Sequence, residues 1–179
     1  APLSPELGRA FTQRTGIEVH QGYGLTEASP VVTLTLTGAP PKSGSVGAAV
    51  PGVEIRMVDE TGSEPEPGDP GEILIKGANL FSGYWPDGAD GPDEAGWWAT
   101  GDMGYLDQSG ELILVDRIKE LVIVSGFNVY PIEVEELLEE LPEVEAAAVI
   151  GVEDPITGEA VVAYLKPAAG FDPAVVKST

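Results

Sequence analysis

Thr100-Gly101-Asp102, then Asp116-Arg117-Ile118-Lys119-Glu120, then Ser125-Gly126-Phe127-Asn128-Val129-Tyr130-Pro131 punctuate the stretch of residues 100–131, where the chain changes character. Ahead of Asp116 stand short alternating patterns separated by Gly and Pro clusters. They are Val53-Glu54-Ile55-Arg56-Met57-Val58, Gly71-Glu72-Ile73-Leu74-Ile75-Lys76, residues 103–106 and residues 111–115. Such spacing predicts a small antiparallel barrel or sheet. After Asp116 comes a short apolar strand, Leu121-Val122-Ile123-Val124, and then a helix opened by Pro131, in which Val134, Leu137, Leu138 and Leu141 recur at i, i+3, i+4 and i+7. Two further strands, residues 144–152 and 160–166, are joined by the turn-rich Asp154-Pro155-Ile156-Thr157-Gly158-Glu159. The order is β-α-β-β. The fold class expected is therefore α+β: a β-rich, barrel-like antiparallel part over residues 1–116, followed by a small α+β unit over residues 117–179, with a junction near 116–120.

Toward the N-terminus, Ser4 ahead of Pro5 and Glu6 predicts an N-capped helix running to Arg14, with Leu7, Ala10 and Phe11 on one face and Thr15-Gly16 at its end. Ile17-Glu18-Val19-His20 reads as a short strand feeding a glycine-containing loop over residues 21–27. In the later helix, Glu133, Glu135, Glu136, Glu139 and Glu140 form the face opposite the leucines. Their spacing reads as a solvated acidic face and not as a metal site.

Of 179 residues, 42% are apolar, which is ample for a packed core. Thirty acidic against nine basic side chains give a net charge of -21. That charge repels phosphodiester backbones and anionic membrane surfaces over a Debye length of about 8 Å, so nucleic acid is excluded as the expected partner. The chain has no cysteine, which removes disulfides, thiolate metal sites and cysteine nucleophiles. Apolar runs such as residues 146–152 fall far short of the about 20 residues of a membrane span. The start Ala1-Pro2-Leu3-Ser4 lacks a basic segment and an apolar signal core, so an intracellular, cytoplasmic protein without a transmembrane segment is expected.

Several side chains carry chemistry, each with a plain structural alternative. In Gly22-Tyr23-Gly24-Leu25-Thr26-Glu27, the aromatic offers a stacking face to a planar base, the hydroxyl a donor to a phosphate oxygen, and the carboxylate a ligand for a hard cation such as Mg²⁺. The alternative is a turn whose Tyr packs in the core and whose Thr-Glu pair begins a helix. Asp102 suits the vicinal hydroxyls of a ribose, or is an ordinary turn residue. Arg117 offers a planar fork to ribose or phosphate, or pairs with a neighbouring acid. His20, the one histidine, reads as structural in preference to a general base, and a His-based metal cluster is excluded. Neither a P-loop nor a GxGxxG fingerprint occurs.

Taken in order, Gln21-Gly22-Tyr23-Gly24-Leu25-Thr26-Glu27, Gly71-Glu72 with Gly83-Tyr84, Thr100-Gly101-Asp102, Asp116-Arg117-x-Lys119 and Ser125-Gly126-Phe127-Asn128-Val129-Tyr130-Pro131-x-Glu133-x-Glu135 resemble the adenylate-forming enzymes. Leu141-Pro142-x-Val144 and Ala146-Ala147-Ala148-Val149-x-Gly151 continue the resemblance, whose wording is most similar to fatty-acid–CoA ligases. It implies conversion of a carboxylic acid and ATP to acyl-AMP and pyrophosphate with Mg²⁺, then transfer of the acyl group to coenzyme A. It also implies roles. Tyr23 would stack on adenine, Thr26 would hold the α-phosphate and Glu27 would bind Mg²⁺. Asp102 and Arg117 would hold the ribose hydroxyls, while Gly22 and Gly24 would let backbone lie against the adenylate. Lys119 would mark the hinge of a small mobile domain, and Ser125, Gly126 and Phe127 would approach the pantetheine arm.

The family's Ser/Thr/Gly-rich phosphate loop is absent from this sequence, and so is its lysine in a Pro-x-x-x-x-Gly-Lys setting; Lys166 and Lys177 sit in no such setting. The resemblance then implies a C-terminal fragment of a larger enzyme, with residues 1–116 ending the large AMP-binding domain, residues 117–179 an incomplete small domain, and no adenylation by the chain alone. Two alternatives stand beside it: a parent that loads a carrier protein, and a non-catalytic AMP-binding module.

Overall fold

The Ser4 hydroxyl accepts from the Leu7 N–H at 3.4 Å, and Pro5, having no N–H to leave unpaired, starts helix α1 (Pro5–Thr15). The computed structural model describes residues 3–35, 41–42, 44–66 and 68–168. The chain divides into two units, Ala1–Val115 and Asp116–Thr179.

After α1, the first unit is β-rich. Its strands are β1 (Gly22–Gly24), β2 (Val31–Leu34), β3 (Ala48–Ala49), β4 (Val53–Val58), β5 (Gly71–Gly77), β6 (Trp98–Leu106) and β7 (Leu112–Arg117), the last two residues of β7 falling in the second unit. They form two open antiparallel sheets, β1-β2-β3 and β4-β5-β6-β7. The strand expected at Ile17-Glu18-Val19-His20 is not formed; β1 lies further on, inside the expected loop, because Tyr23 finds a partner in Thr33 of β2. The rest of that loop is a 3-10 turn, Thr26–Ala28. Alternation on β5 decides the core: Ile73 and Ile75 are fully buried, whereas Glu72, Leu74 and Lys76 are not. They cluster with Tyr23, Ala28, Val32, Val46, Met57 and Leu112. Each such aliphatic side chain contributes about 1.5–3 kcal/mol.

The second unit follows a 3-10 turn, Ile118–Glu120, with β8 (Val122–Val124), β9 (Phe127–Val129), α2 (Pro131–Glu139), β10 (Val144–Asp154) and β11 (Gly158–Pro167). The sheet order is β10-β11-β8-β9, all antiparallel. One strand exceeds the expected β-α-β-β order. Ser125 and Gly126, both left-handed with φ of 51° and 86°, fold Phe127–Val129 back on β8 as a hairpin. The apolar stripe of α2 is also narrower than read, since Leu137 is 65% exposed.

The acidic face of α2 needs correction as well. β10 is an edge strand, and the N–H groups of Ala147 and Val149, two residues apart, point to the same side. Glu139 accepts from Ala147 at 2.9 Å and Glu135 from Val149 at 2.7 Å. A helix repeat of four residues and a strand repeat of two nearly match in length, so two carboxylates satisfy two edge donors. Replacing Glu135 with Ala strands a half-buried donor and is expected to cost about 1–3 kcal/mol, read from the urea midpoint, whereas Glu136→Ala on the exposed side stays within about 0.5 kcal/mol.

Three loop carboxylates are held below their ordinary range: Asp59 by the Thr61 hydroxyl, Asp107 by the Lys42 ammonium and the Ser109 hydroxyl, and Asp154 by the Thr157 N–H. Depressed folded-state values mean the unfolded chain binds more protons in acid. The stability these groups give is complete above the unfolded value of about 3.9 and is lost as pH falls below it. Thermal midpoints are expected to be insensitive to these groups from pH 7 to 5 and to fall below about pH 4. No helix among the described residues is long and apolar enough to cross a membrane.

Candidate functional site

Glu72 on β5 faces Met103 on β6, and Leu74 faces Ala99. Between these pairs one residue, Ile73, opposes three, Thr100, Gly101 and Asp102. The sequence reading placed Asp102 ahead of a strand; it lies within β6, at a bulge. Gly101 supplies the left-handed φ of 74° that this excursion needs. The bulge is closed by its own groups. Thr100 Oγ1 donates to the Ile73 carbonyl at 2.9 Å and accepts from the Asp102 N–H at 3.1 Å, while the Gly101 N–H donates to Glu72 Oε1 at 3.2 Å. A bulge re-aims the side chain that follows it, and here that side chain is a carboxylate.

The Tyr23 hydroxyl donates to Asp102 Oδ2 at 2.6 Å, joining residues 79 positions apart. Tyr23 is 8% exposed. Its ring belongs to the core, as in the packing alternative, while its hydroxyl reaches out to Asp102. Its N–H donates to Thr33 Oγ1 at 3.1 Å, and the β1–β2 register shifts after it. On either side of Tyr23, glycine permits close approach. A Cβ on Gly22 would stand 2.7 Å from the Thr33 carbonyl oxygen, and one on Gly24 would stand 1.9 Å from that of Pro30.

Beyond Gly24 the chain enters the 3-10 turn with Thr26 exposed and Glu27 partly so. Glu27 Oε1 accepts from the Tyr84 hydroxyl at 2.6 Å, and the Glu27 carbonyl accepts from the Phe81 N–H at 2.8 Å. The phenol holds the Glu27 carboxyl below its usual range and is itself pushed up by the carboxylate. Asn79 closes the turn from beneath, its Nδ2 donating to the carbonyls of Ala28 at 2.7 Å and Val31 at 3.0 Å. An ionised, partly exposed carboxylate fits a hard cation held jointly by one protein ligand and substrate phosphates. Among the described residues no group of three or more His, Asp or Glu is placed to hold a metal by itself.

Sequence reasoning assigned no role to Asn79, Phe81 or Glu72, and quoted Tyr84 only as part of a motif. Their partners lie 29 to 57 positions away, beyond any local pattern. His20 is structural, with Nδ1 at 3.3 Å from both the carbonyl and the hydroxyl oxygen of Thr35. A cavity of about 330 Å³ in the first unit lies elsewhere, against α1, Glu18, Val19 and Lys42, and none of the expected site residues line it.

In the second unit, Arg117 is exposed at the end of β7, its N–H donating to Asp116 Oδ1 at 2.7 Å. Lys119 lies in the 3-10 turn; its side chain is outside the described residues, as is Lys177. Ser125 and Gly126 form the β8–β9 turn, tied to the β10–β11 turn through Ser125 N–H to the Thr157 carbonyl at 2.8 Å. Phe127, 76% exposed, follows it.

Two family models match parts of the chain. The AMP-binding enzyme family model matches residues 1–85, and the AMP-binding enzyme C-terminal domain model matches residues 133–179. A long-chain-fatty-acid–CoA ligase of Yersinia pestis is 41% identical over 92% of this chain, which spans 30% of that protein. A 2-succinylbenzoate–CoA ligase of Enterococcus faecalis is 43% identical over 92% of this chain and 34% of its own length. The crystal structure of ATP-bound MatB from Rhodopseudomonas palustris matches with a TM-score of 0.87 at 39% identity, over 96% of this chain and 35% of that one. With both matches in order along one chain, the glycine-flanked Tyr23 strand inside the first and the Asp102 bulge between the two in sequence, the protein belongs to the AMP-binding enzymes, the adenylate-forming family that includes the acyl-CoA ligases.

Proposed function

We propose that this chain carries the nucleotide-facing residues of an ATP-dependent carboxylic acid–coenzyme A ligase, with a fatty acid as the acid. The observation that carries the reading is the 2.6 Å bond between Tyr23 and Asp102, which brings two motifs distant in sequence together. The wording of residues 125–131 and the fatty-acid–CoA ligase relative support the choice of acid.

In the first step, a substrate carboxylate oxygen bonds to the α-phosphorus of ATP as the α–β phosphoanhydride bond breaks, giving acyl-AMP and pyrophosphate. Two anions must meet, so the step depends on charge neutralisation at fixed positions. Thr26 donates its hydroxyl to an α-phosphate oxygen; among the described residues nothing else holds that hydroxyl. Glu27 is the residue that would hold Mg²⁺, which supplies charge neutralisation at the phosphates when bound. Asp102 accepts from ribose hydroxyls, aimed by its bulge and held by Tyr23, and Tyr23 forms the wall against which adenine lies. Arg117 is the guanidinium assigned to a ribose hydroxyl. Gly22 and Gly24, whose Cβ directions are filled by neighbouring backbone, let their own backbone lie against the adenylate and the acyl pocket. In the second step, the coenzyme A sulfur bonds to the acyl carbon and AMP leaves. For that step residues 117–179 act as a mobile domain after residues 1–116, turning at Lys119 and bringing Ser125, Gly126 and Phe127 toward the pantetheine arm.

The acceptor is tested by product analysis of the whole protein with ATP and a fatty acid, offering free coenzyme A and a phosphopantetheinyl carrier protein separately. Acyl-coenzyme A is the expected product. Acylation of the carrier alone would reassign the acceptor.

A further inference from the structure

Glu27 is gripped at both ends by one short segment. The Phe81 N–H holds its carbonyl at 2.8 Å and the Tyr84 phenol holds its carboxylate at 2.6 Å. Core packing does not explain Tyr84, which is 47% exposed. Its placement is nevertheless built. The ring meets Phe81 edge-on at 5.0 Å, Phe81 meets Trp98 edge-on at 5.3 Å, and Trp98 sits at the start of β6 with its Nε1–H donating to the Asp90 carbonyl at 2.7 Å. Two further backbone bonds, Tyr84 N–H to the Ala89 carbonyl and Gly88 N–H to the Tyr84 carbonyl, both at 2.8 Å, close the loop that presents the phenol.

We infer that Tyr84 is a positioning residue for Glu27: its phenol fixes one carboxylate oxygen, so that the remaining lone pairs face a hard cation in a preset direction. The inference rests on the proposed role of Glu27 as the Mg²⁺ ligand. A carboxylate offers about four lone-pair sites, of which the phenol occupies one. An exposed glutamate otherwise samples many rotamers, and ordering it falls on the binding step; with Tyr84 in place the ordering precedes binding. Partners of this kind commonly change metal affinity by about 10–100-fold when removed.

The test uses the whole protein with a non-hydrolysable ATP analogue and Mn²⁺ as the metal probe, free Mn²⁺ being read by its paramagnetic resonance signal. Tyr84→Phe keeps the ring against Phe81 and removes only the hydroxyl. It is expected to weaken Mn²⁺ binding about tenfold and to raise about tenfold the Mg²⁺ concentration giving half-maximal acid-dependent pyrophosphate exchange, with a smaller fall in the rate at saturating Mg²⁺. Glu27→Gln is expected to weaken Mn²⁺ at least as much. Mn²⁺ affinity within twofold of wild type in Tyr84→Phe, together with a loss in Glu27→Gln, overturns the positioning role and leaves Glu27 as the ligand. Wild-type affinity in Glu27→Gln overturns the ligand assignment, and the inference with it.

Discussion

Alanine at Glu27 or at Asp102 in the whole protein is expected to reduce acid-dependent ATP–pyrophosphate exchange by about 10²–10³-fold each, close to background. The two losses differ in kind. Glu27→Ala removes the one carboxylate on the exposed 3-10 turn, so its deficit falls on the chemical step and does not recover at high ATP. Asp102→Ala removes an acceptor from the ribose and leaves the Tyr23 hydroxyl, now facing the site, without the partner it holds at 2.6 Å. Its deficit includes a rise in the ATP concentration needed. Asp102→Asn separates charge from shape. The amide oxygen can still accept from Tyr23, while the amide nitrogen is a donor where the ribose needs an acceptor, so exchange should fall short of wild type yet exceed the alanine variant. Wild-type exchange in both alanine variants would sink the assignment of the site.

Gly24→Ala is expected to damage the fold more than any other single methyl considered. Its Cβ would stand 1.9 Å from the Pro30 carbonyl oxygen, 2.9 Å from the carbonyl carbon and 3.2 Å from Val31 Cα. All three are backbone atoms, so no side-chain rotation relieves the overlap. The segment that would have to move carries the Leu25 N–H to Pro30 carbonyl bond at 2.8 Å and leads directly into Thr26 and Glu27. A loss of about 3–5 kcal/mol follows, a large share of the 5–15 kcal/mol typical of a folded domain. Gly101→Ala is the control. A Cβ there meets nothing within 4 Å, and the cost is the left-handed φ of 74° alone, about 1–2 kcal/mol. Urea midpoints of the two variants measure the difference directly. Equal shifts would mean that the 24–30 turn yields more readily than its backbone contacts imply.

Much of the architecture was legible because it rests on local signals. Ser4 with Pro5 marks the start of α1, alternation marks β4 and β5, and Pro131 opens α2. Errors arose where a partner distant in sequence decides. Ile17-Glu18-Val19-His20 has a strand's alternation but pairs with nothing in a sheet, whereas Gly-Tyr-Gly, poor in strand propensity, pairs because β2 lies beside it. The Asp102 bulge exists only as a mismatch between two strands, so no reading of β6 alone reveals it. Glu135 and Glu139 share the spacing of solvent-facing residues, and only the unpaired edge of β10 gives them partners. The site motifs could be named from the sequence. The contacts that hold them, Tyr23 to Asp102 and Tyr84 to Glu27, span 79 and 57 positions.

Everything proposed for this chain turns on acid-dependent adenylation at a site holding Glu27 and Asp102. Its most direct test is transfer of label from pyrophosphate into ATP by the whole protein, measured across short-chain, long-chain and aryl carboxylic acids. Label is expected in ATP only when a carboxylic acid is present, and most strongly with a long-chain fatty acid. Exchange with none of the acids, or equal exchange without any, would contradict it.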